Sequence, residues 1–140
     1  MYLIKHQNIK LLTVSADKID QLLKGMVVDA IVTEGYLGKA LRGQEPLTFL
    51  QKQKQEIEEV WRKSLVSWVK ILSSGARVVC VWPVFVSSTG TVAVDLKQEL
   101  SELGYRWVNP LEGWHDKPVT LTYARADQHV KRNIVVLERV

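Results

Sequence analysis

Two short apolar runs with a long helical pattern between them constrain the fold of this chain more than any other feature. The runs cover residues 27–32 and 77–86. From residue 46 to residue 72, apolar side chains recur at three- and four-residue spacing and charged side chains fill the other positions. A strand, a helix and a strand in this order are typical of a βαβ unit with parallel strands. The sequence therefore predicts an α/β fold.

The remaining chain continues this alternation on both sides. A predicted strand at residues 9–14 and a short helical turn precede the unit, and a loop at residues 33–43 lies inside it. After it we predict a helix at residues 91–103, a strand at residues 105–108, and an antiparallel hairpin from residues 119–124 and 134–140. We expect a mainly parallel sheet, flanked by helices, with a terminal antiparallel β-hairpin. Residues 1–140 suit a single domain but are few for a complete cofactor-dependent α/β enzyme.

Composition excludes some classes of protein. No apolar run reaches the ~18 residues that cross a bilayer, and the start lacks a signal-peptide pattern, so we expect a cytoplasmic protein without membrane contact. The net charge of +4 permits contact with nucleic acid but does not by itself indicate it. Cys80 is the single cysteine and lies in an apolar run, which predicts a buried structural thiol.

Residues 29–38 carry a more specific signal. They read Asp-Ala-Ile-Val-Thr-Glu-Gly-Tyr-Leu-Gly. This segment resembles the fourth motif of amino-directed RNA and DNA methyltransferases, especially the RNA methylase family that includes the tRNA guanosine N2-methyltransferases. In that motif a strand ends in an acidic or amide residue, prolines and an aromatic ring. A carboxylate there can accept hydrogen bonds from an exocyclic base amine, and an aromatic face can stack on the extruded base.

The resemblance implies catalytic roles for two side chains. Glu34 takes the acidic position and Tyr36 the stacking position, whereas Gly35 replaces the two prolines of the family pattern. One missing residue changes where Tyr36 points and leaves the loop less rigid. The alternative is a glycine-containing βα loop with a surface glutamate and a packed tyrosine, and the sequence leaves both interpretations open.

The resemblance covers nearly the whole chain and implies a cofactor. Residues 75–83 look like the fifth strand of such domains, and residues 103–105 like the next helix end and strand. The chain therefore resembles the C-terminal half of a Rossmann-like methyltransferase fold, a family that uses S-adenosyl-L-methionine. By register, Ser15 or Asp17 takes the place of the residue that contacts the adenine, and Thr33 is a third cofactor-binding candidate. The alternative for Ser15 and Asp17 is the polar start of a short helix.

One part of the family pattern is missing. These enzymes hold the methionine end of the cofactor with a glycine-rich turn, where the backbone must approach the ligand closely. Every glycine of this chain lies at or after Gly25, downstream of the place for that turn. We therefore expect a partial methyltransferase-like domain that is inactive alone and binds S-adenosyl-L-methionine weakly or not at all.

Basic residues in two loops are candidates for nucleic-acid contact. Lys39 and Arg42 belong to the loop at residues 33–43. Arg125, Lys131 and Arg132 lie near the predicted hairpin tip, beside an aromatic ring. The alternative for the hairpin residues is a set of solvated turn charges. The three histidines, His6, His115 and His129, lack metal-ligand spacing, so we expect no metal site.

Three functions from different classes remain open. The first is a remnant or separately encoded half of an S-adenosyl-L-methionine-dependent RNA or DNA base-amine methyltransferase, active only with a partner that supplies the missing strands. The second is a non-catalytic interaction protein that pairs through its open sheet edge, and the third is a small nucleic-acid-binding module. In each case an unpaired apolar edge near residues 9–14 predicts a homo-oligomer or a covering partner chain.

Overall fold

A short helical segment comes first in the computed structural model, which describes residues 9–140. A 3₁₀ turn at Ala16–Lys18 continues into α1 (Ile19–Leu22), as the apolar spacing there predicts. The long helix α2 (Leu47–Trp68) follows Pro46, whose extended backbone forms its N-cap. The strands are β1 (Val28–Val32), β2 (Leu72–Ser87), β3 (Gly90–Ala93), β4 (Tyr105–Val108), β5 (Leu121–Tyr123) and β6 (Val130–Arg139).

All six of these strands form one sheet. β1, β2, β6 and β4 lie side by side in that order, while β3 pairs with β2 and β5 pairs with β6. β1 is parallel to β2, and β6 is antiparallel to both β2 and β4. The strands β1, β2 and β4 therefore run in one direction, and the antiparallel pair of β5 and β6 forms the terminal hairpin. The expected α/β class and its closing hairpin are confirmed, while of the five strand pairings in the described sheet only that of β1 with β2 is parallel.

Helix α2 covers one face of this sheet. Its apolar stripe packs against alternate residues of β2 and β6, and two polar contacts fix its far end. The Tyr105 hydroxyl donates to the Leu65 carbonyl at 2.9 Å, and Arg139 Nε donates to the Val69 carbonyl at 3.0 Å. The helix contributes these buried side chains to the core: Leu50, Ile57, Trp61, Leu65 and Trp68.

The expected helix at residues 91–103 is wrong. Strand β3 instead pairs antiparallel with the last four residues of β2, with Phe85 opposite Val92. The chain from residue 96 to residue 104 makes a series of turns that bury Leu96 and Leu100. Leu96 and Leu100 have the four-residue spacing of a helix, but the chain around them is not helical. The β-branched residues at the start of the segment form β3 instead and extend the β2 ladder.

The expected strand at residues 9–14 is also wrong, because these residues form no ladder. Ile9 is 60 % exposed and Leu11 94 % exposed. Another boundary differs as well: β2 begins at Leu72, where the sequence pattern extends the helix, and continues through Gly75. A β-rich run becomes a strand only where a neighbouring strand is available, and the described chain offers none to residues 9–14.

The single thiol is buried in the middle of β2. Cys80 is 1 % exposed, and burial raises its pKa to about 12. A thiol with so little thiolate is unreactive, so the prediction of a structural cysteine is confirmed. None of the helices within residues 9–140 is long and apolar enough to span a membrane.

Candidate functional site

The loop that follows β1 begins with a close backbone approach to α2. The Thr33 amide donates to the Val79 carbonyl at 3.0 Å, which prolongs the pairing of β1 with β2. Gly35 has φ +74°, and a Cβ added there would lie 2.6 Å from Cζ2 of Trp61. Its amide donates to the Thr33 hydroxyl at 3.1 Å. Glycine is required here both for its backbone conformation and for space beside the indole.

The second half of this loop is held by side chains that accept from its amides. The Lys39 amide donates to Gln53 Oε1 at 2.6 Å. The Glu45 carboxylate accepts from the amides of Arg42 at 2.5 Å and Gly43 at 3.0 Å. These bonds, led by the one from Arg42, hold the pKa of Glu45 below its usual value. Only the backbone of Lys39 and Arg42 is engaged in these contacts, so their cationic side chains can reach a ligand.

Tyr36 borders a groove between this loop, the 3₁₀ turn and α2, which we name the Tyr36 groove. It has a volume of about 160 Å³. Its deep wall is formed by Trp61 and Trp68, whose rings meet edge to face at 5.9 Å. The Trp68 indole N–H donates to the Ala16 carbonyl at 2.9 Å and so fixes the 3₁₀ turn against α2. An aromatic, mostly apolar groove with a half-exposed tyrosine at its rim suits a flat ring.

A second groove of about 210 Å³ continues from the first along the 3₁₀ turn, and we name it the Ser15 groove. Both Ser15 and Asp17 line it, and the Ser15 hydroxyl donates to the Asp17 carboxylate. The two grooves share three lining residues: Ala16, Val60 and Ser64. Since Thr33 lines the Tyr36 groove, the structure brings the three cofactor-binding candidates and Tyr36 onto one continuous surface.

Glu34 is not part of either groove. Its carboxylate instead accepts from Arg132 Nε at 2.6 Å. The loop therefore separates the two residues with predicted catalytic roles and joins Glu34 to a residue predicted to bind nucleic acid. One carboxylate oxygen, Oε2, has no hydrogen-bond partner within the part of the chain that the structure describes.

The basic residues of the hairpin do not form one cluster. Arg132 and Tyr123 are register partners on β6 and β5, and Arg125 Nε donates to the Tyr123 hydroxyl at 3.4 Å. Lys131 points to the opposite face of the sheet, because successive residues of a strand alternate. Arg125 and Arg132 thus flank one half-exposed ring, whereas Lys131 lies apart from them.

The groove walls contain residues that the sequence pattern assigns only to the core. Trp61 and Trp68 are seven positions apart, and Ser64 lies between them on the same side of α2. Small polar residues inside an apolar helical stripe are the signal for such a surface. No group of three potential metal-binding side chains occurs within residues 9–140, and His6 lies outside these residues.

The fit of the two grooves to S-adenosyl-L-methionine is partial. The aromatic wall and the polar group of Ser15, Asp17 and Thr33 suit a purine with its hydroxyl-bearing sugar. Each groove is smaller than the ~300–1,000 Å³ of typical small-molecule pockets. No arginine lines either groove, and the one cation among their lining residues, Lys63, is paired with Glu59 at 3.2 Å. Within residues 9–140, the grooves therefore suit the adenosine end of the cofactor and not its methionine carboxylate.

Comparison with known proteins extends the description of the fold. No protein-family model matches the chain, and no curated protein matches it. Among solved structures, a "putative DNA modification methylase" from Thermus thermophilus matches with a TM-score of 0.60 at 12 % identity. The match covers 90 % of this chain and 52 % of that one.

Two further structures of the same Thermus protein match. The selenomethionine derivative gives a TM-score of 0.53 at 12 % identity, with 89 % of this chain and 50 % of that chain covered. The complex with S-adenosyl-L-methionine gives 0.50 at 11 % identity, with 89 % and 51 % covered. The chain thus has a methyltransferase-like fold and spans about half the length of the solved structures it matches.

Proposed function

We propose that this chain is the base-binding half of an S-adenosyl-L-methionine-dependent methyltransferase that acts on an exocyclic amine of a nucleic-acid base. The observation that carries the proposal is the continuous surface of the Tyr36 and Ser15 grooves at the carboxyl end of β1. Ligands of open α/β sheets bind at this end of the strands. The match to a structure that contains the methyl donor supports the proposal.

Each side chain has a distinct role in this proposal. Tyr36 stacks on the extruded base in the Tyr36 groove. Because Glu34 lies outside this groove, its second carboxylate oxygen accepts a hydrogen bond from a base amine that projects beyond the groove. Thr33, Ser15 and Asp17 hold the adenosine end of the cofactor, which supplies the methyl group when bound. Another polypeptide segment provides the anchors for its methionine end, so the chain alone is inactive.

The substrate class is part of the same proposal. We infer single-stranded RNA, with guanosine N2 in tRNA as the amine, from the resemblance of residues 29–38. A cytoplasmic location, which gives access to that RNA, belongs to the proposal as well. DNA is the alternative substrate that the Thermus neighbour favours. Binding of matched RNA and DNA oligonucleotides of one sequence separates the two.

The test combines affinity and stability of Tyr36→Ala. One base–aromatic stack contributes ~1–3 kcal/mol, so we expect the Kd for a single-stranded RNA to rise roughly 5- to 150-fold in fluorescence anisotropy. The melting temperature should change little, because Tyr36 is 52 % exposed. Trp114→Ala is the matched control, since Trp114 is 91 % exposed and lies outside both grooves. A lower melting temperature with unchanged affinity would assign the loop a purely structural role.

A second candidate is a non-catalytic interaction protein that associates with itself. The observation that favours it is the concentration of exposed apolar side chains in the described chain up to the end of β1, which is an edge strand of the sheet. More than half of the exposed large hydrophobic residues within the described chain precede residue 33: Ile9, Leu11, Leu12, Val14, Leu22, Met26, Val27 and Val32. Exposed apolar surface of this kind marks contact sites, so we expect a dimer in light scattering, and a monomer would contradict this candidate.

A further inference from the structure

The terminal hairpin presents one aromatic ring between two arginines. Tyr123 ends β5 and is the register partner of Arg132 on β6, so these two side chains point to the same face of the sheet. Arg125 contacts the Tyr123 hydroxyl through a long hydrogen bond. Neither arginine stacks on the ring, because in the part of the chain that the structure describes the cation over an aromatic ring is Lys97. With half of its surface exposed, Tyr123 can receive a flat ligand on its face.

The same face of the sheet leads from this ring to Glu34. Arg132 donates from Nε to the Glu34 carboxylate at 2.6 Å and so lies between that carboxylate and Tyr123. Val135, three positions further along β6, is buried against α2, which places Arg132 on the opposite face. From β1 to β5 the sheet has three strand spacings, roughly 14 Å. At the ~3.4 Å rise of a stacked strand, about four nucleotides of nucleic acid span that distance.

The ring contributes more to the expected affinity than the charges around it. Arg132 is held by Glu34, which makes it a weaker phosphate ligand. Arg125 is exposed, and within the described chain its guanidinium has only the long contact to Tyr123, so it can reach a phosphate. Asp127 in the same turn offsets part of this positive charge. A half-exposed ring beside one available cation is the arrangement that binds a single-stranded nucleotide by stacking.

We propose that Tyr123 is a second stacking platform, which binds a nucleotide that flanks the extruded base in the same single strand of RNA. Arg125 contacts a phosphate beside this nucleotide, and Arg132 is a positioning residue that holds Glu34 next to the platform. The inference rests on the proposed function and deepens it by naming where the flanking RNA lies. Every base has a face that can stack on tyrosine, so the platform adds affinity without selecting a sequence.

The first test compares the Kd of a single-stranded RNA octamer among ring variants, by fluorescence anisotropy. Tyr123→Ala removes one base–aromatic stack and should raise the Kd roughly 5- to 150-fold. Tyr123→Phe keeps the ring and should keep the wild-type Kd. Trp114→Ala is the matched control, because it removes an exposed ring that lies outside the path from Glu34 to Tyr123. The melting temperature of each variant verifies that it is folded.

The second test concerns the phosphate contact. Arg125→Ala should reduce the slope of log affinity against log salt for the same octamer by about 0.7. An unchanged slope would overturn the role that we assign to Arg125.

The third test asks whether one strand reaches both rings. Titration at concentrations well above the Kd should give one octamer per chain, and two octamers per chain would overturn the inference. An unchanged Kd for Tyr123→Ala, with a raised Kd for Tyr36→Ala, would overturn the inference and keep the proposed function. Unchanged values for both variants would overturn both. A raised Kd for Tyr123→Ala alone would overturn the proposed function, on which the flanking position depends.

Discussion

Arg132 donates from Nε to Oε1 of Glu34 at 2.6 Å, across 98 positions of the chain. The pair joins the loop after β1 to β6, with β2 between them. It also links two residues for which the sequence suggests different roles, one in chemistry and one in phosphate contact. An arginine that already holds a carboxylate is a weaker phosphate ligand, and the carboxylate it holds has a fixed orientation.

A double-mutant cycle measures this link. We expect Glu34→Gln and Arg132→Gln each to lower the free energy of unfolding slightly, with a coupling of about 0.2–1 kcal/mol, because both side chains are partly exposed. Urea denaturation at low and high salt is the measurement. Coupling that is absent at low salt would show that the pair does not persist in solution.

Lys39 and Arg42, in the loop after β1, allow a prediction of how the affinity for RNA depends on salt. If Lys39 and Arg42 contact phosphates, replacing both with alanine should reduce the slope of log affinity against log salt for single-stranded RNA by about 1.4. Lys52→Ala combined with Lys117→Ala is the control, because both lysines are exposed elsewhere. Equal slopes for the two double variants would exclude a specific role for the loop.

The contact between Gly35 and Trp61 predicts a stability difference between two glycine substitutions. Gly35→Ala and Gly75→Ala both place a side chain at positive φ, +74° and +78°. That strain alone costs roughly 1–2 kcal/mol. The added Cβ meets the indole only at Gly35, whereas nothing lies within 4 Å at Gly75. The melting temperature should therefore fall further for Gly35→Ala than for Gly75→Ala. An equal fall in the two variants would contradict the close packing of Gly35 against Trp61.

Acid should release the second half of the β1 loop. The pKa of Glu45 is lowered in the folded chain, chiefly by the amide of Arg42. A carboxyl group with a lowered folded pKa stabilises above its unfolded pKa, and the effect is lost as pH falls through the folded value. We expect the Arg42 and Gly43 amides to lose protection from hydrogen exchange below about pH 4.5. Glu45→Gln should lack this pH dependence, and a pH dependence unchanged in that variant would assign it to another group.

Because the grooves fit only part of the cofactor, we expect adenosine and S-adenosyl-L-methionine to bind with the same affinity. If only the adenosine end is held, adenosine and S-adenosyl-L-methionine should quench the fluorescence of Trp61 and Trp68 with similar, weak affinity. Trp114→Ala removes the exposed tryptophan from the signal. A low-micromolar Kd, roughly −8 kcal/mol, for the methyl donor alone would show that the chain contains an anchor for its methionine end.

The elements that the sequence predicts correctly are those with one dominant local pattern. The apolar stripe of α2 and the crossover from β1 to β2 follow from spacing alone. Residues 91–103 carry two competing patterns, β-branched alternation first and leucine spacing afterwards, and the long β2 ladder decides between them. Whether such a segment becomes a helix or a strand depends on its neighbours in space, and local periodicity carries no information about them.

The candidate site, like the fold, has parts that the sequence predicts and parts that it does not. Ser15, Asp17, Thr33 and Tyr36 follow from the resemblance of two short segments, and the structure places them on one surface. The partner of Glu34 has no local signal, because β6 reaches it only through the sheet order. The sequence pattern assigns Trp61 and Trp68 of α2 only to the core. In the structure they are buried and also form the wall of the Tyr36 groove.

The buried thiol of β2 gives the chain an internal reporter of its own motions. Cys80 lies opposite Val135 of β6 and within the core formed with α2. Because burial and a high pKa both protect it, an alkylating reagent can react only during openings that expose this strand to water. The labelling rate under native conditions therefore measures the free energy of that opening. With one cysteine in the chain, every labelled molecule records an event at the same place in the sheet.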